Sequence, residues 1–427
     1  MNQSRGRWSV RSLLLFTGAL AAGAALSLEQ GMGEHVGNDF HVFWQAGRDF
    51  ATGNPLYHDY LPGAREFKYP PFAAFVFQLL AVFPLRVAAV LFSLFNLGLW
   101  VAAVYLTRDI VARTLPCRIR GPLPLVLAVA LSAQFFLDNF HHVQVNGLIF
   151  VLALLGIHAY LGGKDVRSAA YLVAATAIKI TPIFFVAWLV VRGRRRAALA
   201  VPPLALACIV GPLLVRGPAT GAAEIVEYYR GFLQGHQRGE IGRYPSGQNL
   251  AAFVNRMTRP TENVEQVSYR YLPASERTAQ LAYRALWVTV LLVFLVKLVS
   301  LRIRGAPVSA FELSMIFLTG LLLSPITFTT HLVSLLFAFY TFLSVRVRGL
   351  SRAGGVVAAV LGGAMVVTGL SGRDLAGSTA YLYVRGYSIV VWMMLLMFAT
   401  AVFLAGRLTV HGDGVGMRPE GLEPPAF

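Results

Sequence analysis

Long apolar runs separated by short polar segments recur along the whole chain. The first extends from Leu13 to Leu28, and others follow at intervals up to residue 406. About 20 mainly apolar residues let a helix cross a bilayer, so the pattern predicts an all-α polytopic membrane protein with about twelve transmembrane helices. The predicted crossings are residues 12–28, 87–106, 122–137, 147–161, two short helices within 168–191, 197–215, 281–301, 308–323, 332–345, 353–370 and 386–406.

One apolar run is too short to cross a membrane. It covers residues 72–83 and is stopped by Pro84. As a helix it would rise about 18 Å, against a hydrocarbon core of about 30 Å. We predict an interfacial helix on the outer face, inside a first outer loop of residues 29–86. A second long outer loop covers residues 216–280, and all these elements form one integral membrane domain, residues 1–406.

Residues 168–191 leave two topologies open. Lys179 and Pro182 divide this apolar stretch into halves that are each too short to cross. If the charged loops 162–167 and 192–196 are both cytoplasmic, the stretch turns back as a hairpin of two short helices that meet near Lys179. If the first loop is outside, the stretch is a single kinked span. A helix break at membrane depth requires a surrounding protein or water-filled cavity.

Positive charge is concentrated in short loops between the apolar runs. The net charge of +17 could suggest a nucleic-acid partner, but its placement follows the positive-inside rule. Arginines precede the first run and fill the loops at 108–120, 192–196 and 346–352. We therefore predict a multi-pass protein of the plasma (inner) membrane, with both termini cytoplasmic, membrane lipids as neighbours and no nucleic-acid partner. The Gly/Pro-rich tail, 407–427, is predicted to be disordered.

Composition and motifs limit the classes of protein and of site that the chain could contain. The chain is 56% hydrophobic and 13% charged, whereas soluble domains have about 25% charged residues. Neither Cys117 nor Cys208 has a setting typical of a disulfide framework or a zinc site. His141 and His142 are adjacent, but no second histidine or acidic pair follows at ligand spacing, so we predict no metal. No Walker A loop, GxSxG elbow or Rossmann glycine pattern occurs.

Asp39 is the candidate catalytic residue. It lies in the polar and aromatic stretch GNDFHVFW, about ten residues beyond the first apolar run. A carboxylate held among aromatics just outside a membrane could act as a general base toward a sugar hydroxyl at the interface. The alternative for an isolated Asp is an ordinary solvated loop residue.

Other polar residues fall at the same predicted face, and each has a structural alternative. Lys179 could bind a phosphate as a compact point charge, or reach the interface as a snorkelling lysine. Gln144 and Asn146 could bind sugar hydroxyls or form an interhelical polar contact. His331 could position phosphate or assist proton transfer, or be an interfacial histidine. Asn249 could contact a sugar or be a turn residue.

Five regions of the chain carry short motifs. They are GNDFHVFWQAG with GNPLY and YPPF, then HVQVNGLIFVLALL, AAYLVAATAIKITPIFF, SGQNLAAFVNR and SPITFTTHLVSLL. In this order they resemble the first outer loop, the GQxN helix start, the K-x-T-P segment, the NQS-like motif and the SPxSWxHH segment of glycosyltransferase family 87. That family comprises polyprenol-phosphate-mannose-dependent mannosyltransferases of the GT-C membrane fold. The matches follow the family order over roughly residues 10–345.

The resemblance implies a GT-C-type fold and an inverting hexosyl transfer, with mannose as the expected sugar, at the extracytoplasmic face. The donor would be a polyprenyl-phosphate sugar and the acceptor a lipid-linked or cell-envelope glycan, with no cofactor. It implies that Asp39 is the base and that Lys179 lies near the donor phosphate. The remaining implied substrate contacts are Gln144, Asn146, Asn249, His331 and Tyr69 of YPPF.

The chain departs from the family pattern at two places. Val143 stands where the family usually has glycine before Gln144. The run from Thr327 to Thr330 replaces Ser, Trp, a polar residue and the first His of the last motif, which leaves His331 alone. Two rival functions stay open: a transporter or flippase of a lipid-linked sugar, which would also have broken helices and charges at membrane depth, and a non-catalytic membrane scaffold.

Overall fold

The computed structural model describes residues 38–411 apart from 59–65, 118, 120, 243, 245, 260–271 and 346–351, together with 414–417. The predicted first crossing, 12–28, and the N-terminus lie outside the described residues. The described chain is a helical bundle. Its helices are α1 (Asn38–Thr52), α2 (Pro71–Ala81), α3 (Leu85–Thr114), α4 (Leu123–His141), α5 (Asn146–Leu161), α6 (Asp165–Ile178), α7 (Ile183–Arg192), α8 (Arg195–Arg216), α9 (Pro218–Tyr228), α10 (Leu250–Thr258), α11 (Glu276–Ile303), α12 (Ala310–Leu323), α13 (Leu335–Ser344), α14 (Arg352–Leu370), α15 (Arg373–Gly386) and α16 (Ile389–Leu404).

Several of these helices suit a bilayer. Within the described part of the chain, α3, α4, α8 and α11 are each long and apolar enough to cross, and α15 and α16 pass the same test together although they are bent by 56°. Large apolar side chains stand exposed on the outer surface of the bundle, such as Leu214 and Val296, as expected of side chains that face lipid. The helical membrane architecture agrees with the sequence, while the count of about twelve crossings and the GT-C fold remain predictions.

The segment predicted as the first outer loop contains a compact aromatic core. Phe43 of α1 stacks on Phe77 of α2 at a centroid distance of 4.9 Å. The two backbones come close at Gly47, where an added Cβ would lie 2.5 Å from the carbonyl carbon of Phe77. Pro84 separates α2 from α3, because proline tolerates a helix start but not a helix interior. The short run predicted at 72–83 is thus a separate helix, and its position at the membrane surface stays a prediction.

Helices α6 and α7 form a hairpin. The Arg194 guanidinium, just after α7, donates to Asp165 at the start of α6 at 2.8 Å and to the Tyr160 carbonyl at the end of α5 at 2.8 Å. A single kinked span would separate Asp165 from Arg194 by roughly the thickness of the bilayer. The two ends instead meet, so the chain turns back at Lys179, as one of the two predicted topologies requires.

The hairpin and α5 define two ends of the bundle. At one, the hairpin tip at Lys179 contacts Asn146 at the start of α5; we call this the site end. At the other, the hairpin base at Arg194 contacts Tyr160; we call this the basic end. Helix α5 begins at Asn146 and is 16 residues long, which corresponds to a length of about 24 Å.

A buried ion pair lies at the basic end. Arg192 of α7 binds Glu312 of α12 through two hydrogen bonds of 2.8 and 3.0 Å, and its side chain is only 6% exposed. Its guanidinium also donates to the carbonyls of Leu301 and Ala306, and the Trp188 indole donates to Glu312. Sequence analysis counted Arg192 with the arginines of the predicted cytoplasmic loop 192–196. The structure places it inside the bundle, because Glu312 supplies a matching carboxylate.

The C-terminal part differs in detail from the prediction. The predicted crossing at 386–406 corresponds to α16, which is preceded by the bent helix α15. Where a disordered tail was predicted from residue 407, two short strands, β1 (Leu408–His411) and β2 (Gly414–Met417), pair antiparallel. Residues 418–427 of that predicted tail lie outside the described part of the chain.

Candidate active site

A cavity of about 310 Å³ opens at the site end. It lies between α1, the segment before α2, the hairpin tip and the loop after α12, so distant parts of the sequence form its walls. Its lining combines both charge signs with aromatic rings. The residues that line it include Asp39, Phe43, Glu66, Lys68, Tyr69, Gln144, Lys179, Thr181, Tyr228, Phe232, Phe328 and His331.

Asp39 lies in the first turn of α1. A carboxylate is favoured there by the positive end of the helix dipole. The following residue, Phe40, is fully buried and stacks on Phe92 of α3 at 5.4 Å. The aromatic core therefore anchors α1 and holds the carboxylate at the cavity wall, so Asp39 is not an ordinary loop residue.

Four polar side chains form one connected network. The Gln144 amide donates to Asp39 at 2.5 Å, and the Asn146 amide approaches the Gln144 side-chain oxygen at 3.5 Å. The Lys179 ammonium donates to the Asn146 oxygen at 2.6 Å, and Lys179 and Asp39 interact electrostatically. A carboxylate and an ammonium thus share one site through two amides. Sequence analysis predicted all four residues, and the structure brings them together.

The backbone before Gln144 has an unusual conformation. Val143 has φ +49°, a region that β-branched residues rarely adopt and that favours glycine. Two asparagines from neighbouring helices, Asn96 and Asn139, donate to the Gln144 carbonyl at 3.2 and 3.3 Å. These contacts, with the complete burial of the Val143 side chain, offset the strain. The position where the resemblance expects glycine is therefore one whose backbone favours glycine.

Tyr69 lies beside Lys179. Its ring centroid is 5.4 Å from the Lys179 ammonium, a cation–π contact. Burial and the nearby Asp39 carboxylate both raise the pKa of Tyr69. The phenol therefore stays protonated and keeps a hydroxyl that could donate to a ligand.

His331 lines the cavity with a defined tautomer. The Phe328 backbone N–H donates to His331 Nδ1 at 3.1 Å, so Nδ1 is the unprotonated nitrogen. In the neutral ring the proton is then on Nε2. His331 can consequently offer one N–H donor to an anion.

Asn249 does not line the cavity. Its side-chain oxygen accepts from Ala252 and caps α10, and its amide donates to the carbonyls of Ser324 and Pro325 at 2.8 and 2.9 Å. The residue is 1% exposed. These contacts agree with the alternative that Asn249 is a turn residue. They also hold Ser324 and Pro325, which line the cavity, in place.

Sequence analysis missed several lining residues. Glu66 and Lys68 flank Phe67, which is buried at 2% exposure, and both line the cavity. In an extended segment alternate residues share a face, so a buried Phe67 turns its neighbours toward the cavity. The alternation of polar and aromatic residues in EFKY, residues 66–69, could have indicated this in the sequence. Tyr228, from the segment predicted as the second long outer loop, was also missed, and burial raises its pKa.

The histidine pair offers no metal site. His142 Nδ1 lies 2.9 Å from the Asp138 carbonyl, and its ring packs edge-on against His141. Among the residues that the structure describes, no three His, Cys, Asp or Glu side chains are placed to hold a metal ion. The two histidines take part in local contacts near the end of α4.

The fold and the cavity together define a membrane-embedded protein with a polar site at one end of its helical bundle. The family model for glycosyltransferase family 87 matches residues 67–325, more than half of the chain. The chain therefore belongs to glycosyltransferase family 87, which confirms the resemblance and implies a glycosyltransferase activity. No curated protein matches it. Lys179 lies within the matched range, whereas Asp39 and His331 lie outside it.

Proposed function

We propose that the protein transfers a hexose, mannose in the first instance, from a polyprenyl-phosphate donor to a lipid-linked or cell-envelope glycan, with inversion at the anomeric carbon. The supporting observation is the network that links Asp39 to Lys179 within one cavity. A carboxylate suits an acceptor hydroxyl and an ammonium suits a phosphate, so the cavity offers partners for both substrates. The activity of the family favours this reading over a transporter or a scaffold.

In the proposed reaction Asp39 accepts the proton of an acceptor hydroxyl as its oxygen attacks the anomeric carbon. The bond between that carbon and the donor phosphate oxygen breaks, and the polyprenyl phosphate leaves with the bonding electrons. Its growing negative charge is stabilised by the Lys179 ammonium and the His331 Nε2–H, as preorganised donors do in other transferases. One carboxylate suffices, because a phosphate leaving group needs little protonation.

The neighbouring residues orient these groups. The Gln144 amide holds one Asp39 oxygen, and Asn146 holds the Lys179 ammonium. Tyr69, Glu66 and Lys68 line the cavity wall on which the sugar hydroxyls would bind. Asn249 acts as a positioning residue behind the wall.

The site end corresponds to the extracytoplasmic face in this proposal. Arg194 and Arg302 both lie at the basic end, where Arg302 approaches the Gly193 carbonyl at 3.5 Å. Lys164 and Arg167 begin the hairpin at that same end. The positive-inside rule assigns that end to the cytoplasm, so the cavity faces outward across the plasma membrane. A donor carried on a membrane lipid reaches this face without a nucleotide-binding domain.

The donor class can be tested directly. Membranes from a strain lacking the protein supply the natural acceptors, and purified protein is added with radiolabelled polyprenyl-phosphate mannose or with a nucleotide sugar. We expect label in the glycan or glycolipid fraction from the lipid donor alone, with the opposite anomeric configuration in the product. Polyprenyl-phosphate glucose is offered in a parallel arm, and preferred transfer of glucose would change the hexose. Transfer from the nucleotide sugar alone would overturn the proposal.

A further inference from the structure

Tyr228 and Phe232 form a stacked aromatic pair in the wall of the cavity. Both residues line it, and their ring centroids are 5.7 Å apart with an angle of 25° between the ring planes. Tyr228 ends α9, and Phe232 lies in the π-helical turn Tyr229–Leu233 that follows. Such turns are rare and often occur at functional sites. An unusual backbone segment therefore presents two rings to the cavity.

The Tyr228 hydroxyl is buried in a way that points to a ligand. Tyr228 is only 7% exposed, and no residue in the described ranges forms a hydrogen bond with its hydroxyl. Its ring is held by Phe232 and by Tyr57, whose ring centroid is 6.3 Å away. Buried polar groups usually have a hydrogen-bond partner, and an exception requires an explanation. Because Tyr228 lines the cavity, a bound ligand would supply that partner.

Tyr69 connects the aromatic pair to the reacting groups. Asp39 and Tyr228 both act electrostatically on Tyr69, and the Tyr57 hydroxyl donates to the Tyr69 carbonyl at 2.9 Å. The Lys179 ammonium lies 5.4 Å from the Tyr69 ring centroid. The pair thus adjoins the part of the cavity where Asp39 would meet an acceptor hydroxyl.

The origin of the pair favours the acceptor over the donor. In the proposed reaction the donor is anchored by its phosphate at Lys179 and by its lipid in the bilayer. A glycan acceptor instead extends into water, and it must pass the polar segments at the site end to reach Asp39. Tyr228 and Phe232 belong to the segment predicted as the second long outer loop, which is such a polar segment.

The chemistry of the pair matches a sugar ring. A hexose has apolar C–H faces and a rim of hydroxyls. An aromatic ring suits the C–H face through dispersion attraction, and a phenol hydroxyl suits the rim as a hydrogen-bond donor. We infer that Phe232 packs against a sugar ring of the acceptor glycan and that the Tyr228 hydroxyl donates a hydrogen bond to the same sugar. The inference rests on the proposed function, which takes the acceptor to be a glycan.

Saturation-transfer difference NMR tests this binding without any reaction. The full-length protein in lipid nanodiscs is titrated with methyl α-mannoside, methyl α-glucoside or methyl α-galactoside, with no donor present. Tyr228→Phe removes only the hydroxyl, and Phe232→Leu removes the ring. Phe232→Tyr keeps an aromatic ring and covers the case in which the leucine variant misfolds. The matched controls are Tyr229→Phe and Tyr229→Leu, since Tyr229 is 41% exposed and its hydroxyl donates to Gln237.

We expect wild type and both Tyr229 variants to bind at least one glycoside with the same apparent Kd. Tyr228→Phe and Phe232→Leu should bind it about three- to tenfold more weakly, as the loss of one contact typically costs, and Phe232→Tyr should bind it as wild type does. Unchanged binding by Tyr228→Phe, equal losses in the Tyr229 variants, or no glycoside binding to wild type would overturn the inference.

Transfer kinetics separate the acceptor from the donor. When acceptor membranes and lipid donor are varied in turn, Tyr228→Phe should raise the KM for the acceptor about three- to tenfold and leave the KM for the donor unchanged. A raised KM for the donor alone would overturn the inference. If wild type transfers no hexose from the lipid donor, the proposed function fails, and the glycoside titration still decides whether the pair binds a sugar.

Discussion

The hairpin of α6 and α7 has charged side chains at both ends, and the two ends differ in one respect. At the base, Arg192 and Glu312 are 6% and 0% exposed, and their polar atoms bind other protein groups. At the tip, Lys179 and Asp39 line a cavity large enough for a substrate. Both pairs lie in the same apolar bundle. The difference is that the charges at the base are enclosed by protein groups, whereas those at the tip face a cavity.

This contrast predicts different consequences for mutations at the two ends. Removal of one partner of a buried ion pair strongly destabilises the fold, because the other partner is left as an uncompensated buried charge. In the proposed reaction the charges at the cavity stabilise the transition state, so we expect their removal to affect turnover more than folding. Stability should therefore report on the base of the hairpin and turnover on its tip.

The largest expected effect is on stability at the base. Arg192→Ala should destabilise the protein by about 3–5 kcal/mol, because Glu312 is left buried without its partner. Thermal unfolding in detergent, followed by tryptophan fluorescence, measures the change. Arg194→Ala is the matched control, since Arg194 is 47% exposed and its pair with Asp165 should contribute about 1 kcal/mol or less. Equal losses of stability in the two variants would contradict the proposed difference between the buried and the exposed arginine.

At the tip, the effect should fall on turnover. Lys179→Met should reduce hexose transfer by about 10²–10³-fold, the usual cost of removing one donor to a developing negative charge. Lys164→Met, which removes an exposed lysine at the hairpin base, should leave transfer unchanged. Melting temperatures of both variants close to that of wild type complete the pattern. A large loss of stability in Lys179→Met with normal residual transfer per folded molecule would reverse the assignment.

A mutation of Asn249 should affect stability, as at the base of the hairpin, although Asn249 lies near the cavity. Asn249→Ala removes a helix cap and two hydrogen bonds to the Ser324–Pro325 segment. We expect about 1–2 kcal/mol of lost stability and a moderate fall in transfer that follows the folded fraction. A near-complete loss of transfer in a normally stable variant would instead indicate a direct substrate contact.

The smallest effect concerns pH. His236, in the predicted second outer loop, contacts the Tyr283 hydroxyl at 3.0 Å, and burial lowers its pKa to about 4. The unfolded chain therefore binds a proton at His236 more readily than the folded protein does. The stability contributed by the neutral His236 is complete above pH 6.5 and is lost as the pH falls toward 4. Melting temperatures between pH 7.5 and 4.5 should fall less steeply for His236→Gln than for wild type. Parallel curves would contradict this.

Much of the site could be predicted from local sequence, because charged and amide residues are costly in apolar segments and so stand out. Lys179 was found in this way, whereas Asp39, Gln144 and Asn146 were found in short polar segments that adjoin apolar runs. Pairings between distant helices could not be read from the chain. The partner of Arg192 is Glu312, 120 positions away, and nothing local in either segment indicates that they meet.

The fold shows the same division. The break at Lys179 was visible from Pro182 and from the short flanking apolar halves, but the choice between a kinked span and a hairpin needed the contact of Arg194 with Asp165. Glu66 was overlooked because an exposed glutamate in a loop is common. Its place in the cavity wall became visible only in the structure, where the burial of Phe67 fixes the direction of its neighbours.

The central claim is that Asp39 acts as the base, and one comparison tests it most directly. Transfer from labelled polyprenyl-phosphate mannose is measured for wild type, Asp39→Asn and the control Asp165→Asn, which removes a carboxylate at the basic end. Asp39→Asn should fold normally and lose about 10²–10⁴-fold in rate, while Asp165→Asn keeps wild-type activity. Wild-type transfer by Asp39→Asn would contradict the account.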